Sequence, residues 1–164
     1  MPRRLWPQSD IEGYYLGTPT ASRWVLVASR HSDFKNAVLA YLDLALREER
    51  ERSGDLYVRF VGIEQVQNEP GAEYDAIVVI NTCIAAGLDR RVDSFLKQQV
   101  TPDDIMVVTT TGDDGDWMPC PVDYEVEAIT SVSKRSRVQP LVAEIVAWLW
   151  PKIGASELPR LSGS

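Results

Sequence analysis

Short apolar runs alternate along this chain with apolar residues at helical spacing, and this alternation restricts the fold more than any other feature. The clearest runs are Trp24–Ala28, Ala76–Ile80 and Ile105–Thr109. Such runs are typical of strands that are buried on both faces of a sheet. Two weaker candidates, Leu56–Ile63 and Val126–Thr130, bring the prediction to five strands.

Three helices are predicted between and after these strands. Ser32 is expected to cap the first helix, Asp89 to begin the second, and Ser136 with Gln139 to form a capping box at the last. The segment Glu64–Asp75 leaves little room for a helix. The apolar stripes of the three helices are Phe34, Ala37, Val38, Tyr41, Leu42 and Ala45, then Leu88, Val92, Phe95 and Leu96, and finally Leu141, Val142, Ile145, Val146 and Leu149.

This order of elements predicts an α/β fold: a doubly wound, five-stranded parallel sheet of order 2-1-3-4-5, with helices on both faces. Residues 1–22 carry prolines and scattered aromatic residues without a period, so we expect an irregular N-terminal arm. The predicted domain spans residues 23–153. A short polar tail, 154–164, follows it.

Composition excludes several functional classes. The chain has 164 residues, 45% of them hydrophobic, with a net charge of −7, which argues against a general nucleic-acid surface or an anionic membrane surface. Two cysteines and one histidine are too few for a disulfide framework or a Cys/His metal cluster, so no metal site is expected. No long apolar segment and no intact signal peptide is visible. We therefore expect a cytoplasmic protein, with a removed leader as the alternative.

In a doubly wound sheet, ligands bind beyond the carboxyl ends of the strands, so we searched for candidate residues there. After the first strand come Ser29, Arg30, His31 and Ser32, whose hydroxyls and helix N-terminus suit an anion. Ser32 and Asp33 also fit a plain helix start. His31 is either a general acid or base or a solvated loop side chain.

After the third strand come Thr82, Cys83 and Ile84, just before a helix. A cysteine near a helix N-terminus can have a lowered pKa and act as a nucleophile. We expect instead a small buried or half-buried thiol at Cys83, because no arginine follows at the spacing of a phosphatase loop.

The segment after the fourth strand is acidic and rich in glycine. Trp117 offers a face on which a planar ligand can stack. Asp113, Asp114 and Asp116 are either cation ligands or, as we expect, solvated turn residues. Eight acidic and no basic residues lie in 103–127, so a negative rim is predicted. The residues assigned here to the candidate site are Thr110, Thr111, Gly112, Asp113 and Trp117.

Two segments, YDAIVVINTCIAAGLDRRVDSFL and IMVVTTTGDDGDW, resemble parts of the flavodoxin-like superfamily, and the resemblance covers nearly all of Trp24–Trp150. They are similar to its third strand with the flavin-side loop, and its fourth strand with the glycine-bearing loop. The resemblance implies a flavin ring between residues 82–86 and 112–117. The family's phosphate loop is rich in Ser, Thr and Gly. Here ASRHSDFKN has no glycine, and only Arg30 and Lys35 offset the charge of Asp33.

The sequence therefore resembles small flavodoxin-like members with a degenerate FMN phosphate loop. We expect a non-catalytic binding or accessory domain without a cofactor, and the alternative is an FMN-binding electron-transfer protein or small flavin-dependent oxidoreductase. Whether it is an enzyme stays open. The expected partner is a protein or a small anionic or planar ligand, with a homodimer also considered, and not nucleic acid or a membrane.

Overall fold

A computed structural model describes residues 10–83, 87–99, 101–111, 122 and 124–155. Its centre is a six-stranded mixed sheet of order β1-β3-β2-β4-β5-β6. The last five strands in the sequence are parallel to one another, and β1 runs antiparallel to β3 at one edge. The strands are β1 (Tyr14–Leu16), β2 (Trp24–Ser29), β3 (Tyr57–Gly62), β4 (Ala76–Thr82), β5 (Ile105–Thr111) and β6 (Glu127–Val132).

The prediction of an α/β sheet is confirmed, and the five parallel strands have the predicted neighbours. The prediction of a purely parallel, five-stranded sheet is wrong, because the arm expected to be irregular contributes β1. Its three residues are too few to show a period in the sequence. Tyr14 stacks on Phe60 with ring centroids 4.5 Å apart, and Leu16 is buried in the core, so aromatic packing holds this edge strand.

Within the described residues, four helices cover the two faces of the sheet. Helices α1 (Asp33–Ser53) and α4 (Val138–Lys152) pack on one face, and α2 (Ile63–Val66) and α3 (Arg90–Lys97) lie on the other. Alternate residues of the central strands enter different cores: Val25 and Val27 face α1 and α4, whereas Leu26 and Ala28 face α2 and α3. Burial on both faces explains why the runs are apolar throughout. None of the helices in the described ranges is long and apolar enough to cross a membrane.

The predicted helix starts were partly right. The Ser32 hydroxyl accepts a hydrogen bond from Lys35 N at 3.1 Å, and the Asp89 carboxylate accepts one from Arg91 N at 3.0 Å, so both predicted starts are confirmed. The capping box of Ser136 is wrong, because residues 135–137 form a 3₁₀ turn and α4 begins without a side-chain cap. The segment Glu64–Asp75, expected to have little room for a helix, contains all but the first residue of the single-turn α2 and a 3₁₀ turn at Gly71–Glu73.

Asp10 ties the arm to the carboxyl edge of the sheet. Its carboxylate accepts the backbone N–H groups of Ile63 and Glu64, both at 2.9 Å, and so caps α2 from a distance in the sequence. The same carboxylate pairs with Arg30 at 3.3 Å. The arm therefore reaches the region where the sequence predicts a site.

Candidate functional site

The carboxyl ends of β4 and β5 bring four predicted site residues together. Thr82 lies opposite Thr110 in the parallel register, and the backbone N–H of Cys83 donates to the Thr110 carbonyl at 3.0 Å. Thr111 follows at the end of β5, where its carbonyl accepts the hydroxyl of Ser133 at 2.5 Å. The predicted site residues Ile84, Gly112, Asp113 and Trp117 lie outside the described residues.

The polar residues at the end of β2 and just after it are engaged within the protein. Ser29 is fully buried, and its hydroxyl donates to the Arg30 carbonyl at 2.8 Å. Ser32 is used as the cap of α1. His31 is exposed, with its Nδ1 3.0 Å from the side-chain amide nitrogen of Asn36. Because these side chains already have partners within the protein, residues 29–32 offer a ligand fewer polar groups than the sequence predicts.

Arg30 is held by two carboxylates that no pattern in the sequence connects with it. Its Nε and Nη2 donate to one oxygen of Asp89 at 2.9 and 2.8 Å, and its Nη1 lies 3.3 Å from Asp10. The Arg30 and Asp89 side chains are only 4% and 5% exposed. A buried guanidinium needs such partners, since an unpaired buried charge is costly. Asp89 and Asp10 therefore occupy the place that an anionic ligand would take at Arg30.

Lys35 is a buried cation beside this pair. Its side chain lies under the end of β4, where the ammonium group donates to the Thr82 hydroxyl. Burial and, second, the positive charge of Arg30 lower the pKa of Lys35 to about 8, and Asp89 opposes the shift. The sequence does contain a signal for this burial, because Lys35 stands three residues before the buried Val38 and therefore on the apolar side of α1.

The prediction of a free thiol at Cys83 is wrong. This residue forms a disulfide bond, and its side chain is half-buried at the end of β4. The only other cysteine of the sequence, Cys120, lies outside the described residues. A cysteine in a disulfide has no thiolate, so in this state Cys83 is not a nucleophile.

The start of α1 does not fit a flavin phosphate. Residues 30–32 alone connect β2 to α1, without a glycine that would let the backbone curl around an anion. The Ser32 hydroxyl and carbonyl already accept the N–H groups of Lys35 and Asn36. Asp33 adds an exposed carboxylate to the first turn. At an effective dielectric of 20, two like unit charges 4 Å apart repel each other by about 4 kcal/mol, and solvent screening reduces this value.

A cavity of about 450 Å³ lies elsewhere, beside the antiparallel edge of the sheet. Asp10, Tyr15, Arg59 and Gln65 contribute to its lining. None of the predicted site residues lines it. The cavity belongs to the β1, β3 and α2 region, and Asp10, which pairs with Arg30, joins it to the carboxyl edge of the sheet.

Comparison with known proteins supports the fold. No protein-family model and no curated protein matches this sequence. Among solved structures, a metal-soaked flavodiiron core from Synechocystis matches 84% of this chain with a TM-score of 0.57 at 8% identity, and this match spans only 38% of that core's length. An oxidoreductase from Corynebacterium diphtheriae matches 82% of this chain and 98% of its own, with a TM-score of 0.53 at 12% identity.

A third structure is the general stress protein 14 of Treponema denticola in complex with FMN. It matches 82% of this chain and 99% of its own at 12% identity, with a TM-score of 0.44. The first two likenesses agree with the strand order, in which β3 is added on one side of β2 and β4 on the other. The chain has a flavodoxin-like α/β fold.

Proposed function

We propose that this chain is a non-catalytic binding or accessory domain whose flavin site has become degenerate. The observation that carries the proposal is the carboxyl end of β2, where Arg30 is paired with Asp89 and Asp10. Ser32 caps the helix start that would otherwise meet a phosphate. In this proposal the partner is a protein or a small planar ligand that makes no use of a phosphate cradle.

The chemistry of the described side chains supports a binding role. A catalytic site needs a nucleophile, a base and a group that orients the base. His31 is exposed and contacts an amide, Cys83 is oxidised to a disulfide, and Lys35 is buried. These three groups do not form such a combination within the described part of the chain.

The alternative is an FMN-binding electron-transfer protein or a small flavin-dependent oxidoreductase. The observation in its favour is the likeness to a flavodiiron core and to an oxidoreductase, both with TM-scores above 0.5. In such a protein the cofactor carries the chemistry, and few side chains need to be catalytic. The two functions differ in whether the isolated protein carries flavin.

The test is a visible spectrum of the protein purified without added cofactor, followed by titration with FMN. We expect a colourless protein, with FMN binding that is weak or absent. Asp33→Asn should strengthen any FMN binding because it removes the carboxylate at the helix start, whereas Glu48→Gln, an exposed change further along α1, should not.

Two results would contradict the proposal. One is near-stoichiometric yellow flavin in the purified protein. The other is submicromolar FMN binding that Trp117→Ala abolishes. Either result would favour the flavoprotein alternative.

A further inference from the structure

The outer side of β1 is a free edge of the sheet within the described residues. β1 is the terminal strand, and β3 is the strand that pairs with it. It contains no charged residue and no proline, and two of its residues, Tyr14 and Tyr15, are 40% and 66% exposed. Charges and prolines are the usual protection of an edge against pairing with another chain. The edge of β1 is therefore open to strand addition.

The direction of the backbone hydrogen bonds shows that Tyr15 faces outward. The backbone N–H of Tyr57 donates to the Arg23 carbonyl at 2.9 Å, so Tyr57 directs its backbone groups towards β2. Successive residues of a strand direct these groups to opposite sides, so Val58 faces β1, where it pairs with Leu16. Tyr15 precedes Leu16 and therefore turns its N–H and C=O away from β3.

The cavity of about 450 Å³ lies beside this edge, on the face of the sheet that carries α2. Tyr15 is opposite Arg59 in the register, and both residues line the cavity together with Val61. Continuing the register by one residue places Gly13 opposite Val61. A Cβ added at Gly13 would have only the Phe60 carbonyl oxygen within 4 Å among the described residues. The missing side chain at Gly13 and the single turn of α2 leave this space open.

The charges of the cavity wall favour an uncharged side chain. Ile11, Val61 and the Tyr15 ring offer apolar contacts. A charged group would find no unpaired counter-charge among the described lining residues, and burying it would be costly. The charged lining residues are each paired already, Asp10 with Arg30, Arg59 with Glu69, and Glu64 with Arg91.

We propose that β1 binds an extended strand of a partner protein, which pairs with Tyr15 and places a large apolar side chain in the cavity beside Gly13. In an antiparallel arrangement, the partner residue opposite Tyr15 exchanges two main-chain hydrogen bonds with it. The residue two positions later lies opposite Gly13 on the same face. Main-chain hydrogen bonds then supply affinity, and the cavity supplies specificity.

Two observations narrow the partner further. Glu12 is exposed next to Gly13, and the chain has a net charge of −7, so a basic residue directly after the apolar one is favoured. A second copy of this chain fits less well. A two-fold axis that pairs the two Tyr15 residues would set Gly17 of one copy opposite Gly13 of the other and leave the cavity empty. This inference goes beyond the proposed function, because the surface lies at the antiparallel edge of the sheet.

The test is an NMR titration of the whole protein with an acetylated and amidated hexapeptide, threonine-valine-threonine-leucine-lysine-threonine. Its valine is the residue expected opposite Tyr15, and its leucine is the one expected opposite Gly13. The amide signals of both protein residues should shift, and the Tyr15 amide should exchange more slowly with solvent. A control peptide with aspartate in place of leucine should bind about tenfold more weakly, because its carboxylate would lose water without gaining a counter-charge.

Two substitutions at Tyr15 separate its backbone from its side chain. Tyr15→Pro removes the outward N–H, which the pairing of β1 with β3 does not use. The melting temperature should therefore stay close to that of the wild type, while binding of the leucine peptide weakens roughly fivefold. Tyr15→Phe keeps both the N–H and the ring, so it should keep the wild-type affinity.

Three results of these titrations would overturn the inference: no shift at Tyr15 and Gly13 with millimolar peptide, equal affinity for the two peptides, or unchanged binding in a folded Tyr15→Pro variant. A dimer that sedimentation detects without peptide, and that Tyr15→Pro dissociates, would also overturn it, because the edge would then belong to a second copy. The comparison of the two peptides uses the wild-type protein and does not depend on the folding of any variant. These measurements contain no FMN, so their failure is distinct from that of the proposed function, which fails if FMN binds tightly.

Discussion

The free energy of unfolding of the wild-type protein should rise as the pH is raised from 7 to 9.5, and replacing Lys35 with methionine should remove most of that rise. Lys35 is 2% exposed, and burial with the nearby charge of Arg30 lowers its pKa to about 8 from the ordinary 10.5. In this pH range the unfolded chain binds more protons at this lysine than the folded chain does. Stability therefore increases with pH.

The size of the effect follows from the pKa difference. At about 1.4 kcal/mol per pH unit, the full shift corresponds to roughly 3 kcal/mol, a penalty that is present below pH 8 and disappears towards pH 10.5. Between pH 7 and 9.5 the Lys35 contribution to the free energy of unfolding should rise by about 2 kcal/mol. The pH range ends at 9.5 to limit the contribution of tyrosine ionisation. Burial raises the pKa values of Tyr14 and Tyr74 in the folded protein, so at higher pH these residues would lose their protons on unfolding.

The assay is guanidinium chloride unfolding at several pH values for the wild type, Lys35→Met and Lys97→Met. Lys97 is an exposed lysine on α3, so its variant should follow the wild-type pH dependence. The Lys35→Met curve should be flatter by about 2 kcal/mol over the range. Parallel curves for the wild type and Lys35→Met would refute the argument that this lysine is charged and buried in the folded state.

Three further changes test the local structure, all by chemical unfolding. Asp89→Ala should destabilise the protein by about 3–5 kcal/mol, because it leaves the buried Arg30 without its main partner, and a loss below about 1 kcal/mol would contradict that pairing. Ser32→Ala should cost about 1 kcal/mol through the lost cap of α1, whereas an unchanged midpoint would show that the cap contributes little. Gly17→Ala should destabilise the protein, because φ is 81° and the added Cβ would stand 2.2 Å from the Leu56 carbonyl oxygen; wild-type stability would show that this turn relaxes freely.

Much of the sheet could be predicted from the sequence, because burial on both faces leaves an uninterrupted apolar run. Ala76–Thr82 and Ile105–Thr111 are such strands, and their parallel pairing follows from the helix between them. Tyr14–Leu16 could not be recognised in the same way. Its three residues acquire strand character only through pairing with β3 and stacking on Phe60.

The candidate site was harder to predict, because its contacts join distant parts of the chain. The partners of Arg30 are Asp10 and Asp89, which lie 20 and 59 residues away in the sequence, so no local sequence pattern predicts these contacts. Asp89 was recognised as a helix start, but its second role depends on the tertiary fold. Asn81 and Thr109 are neighbours across β4 and β5 because of the strand register, which cannot be read from the sequence.

The most direct test of the central claim is a pair of calorimetric titrations with FMN and riboflavin, which differ only in the phosphate. If Arg30 is held by Asp89 and Asp10, and the start of α1 is closed by Ser32 and Asp33, the phosphate has no cradle in this protein. FMN should then bind no more tightly than riboflavin. FMN binding about a hundredfold tighter than riboflavin, a difference of roughly 2.7 kcal/mol, would contradict the account.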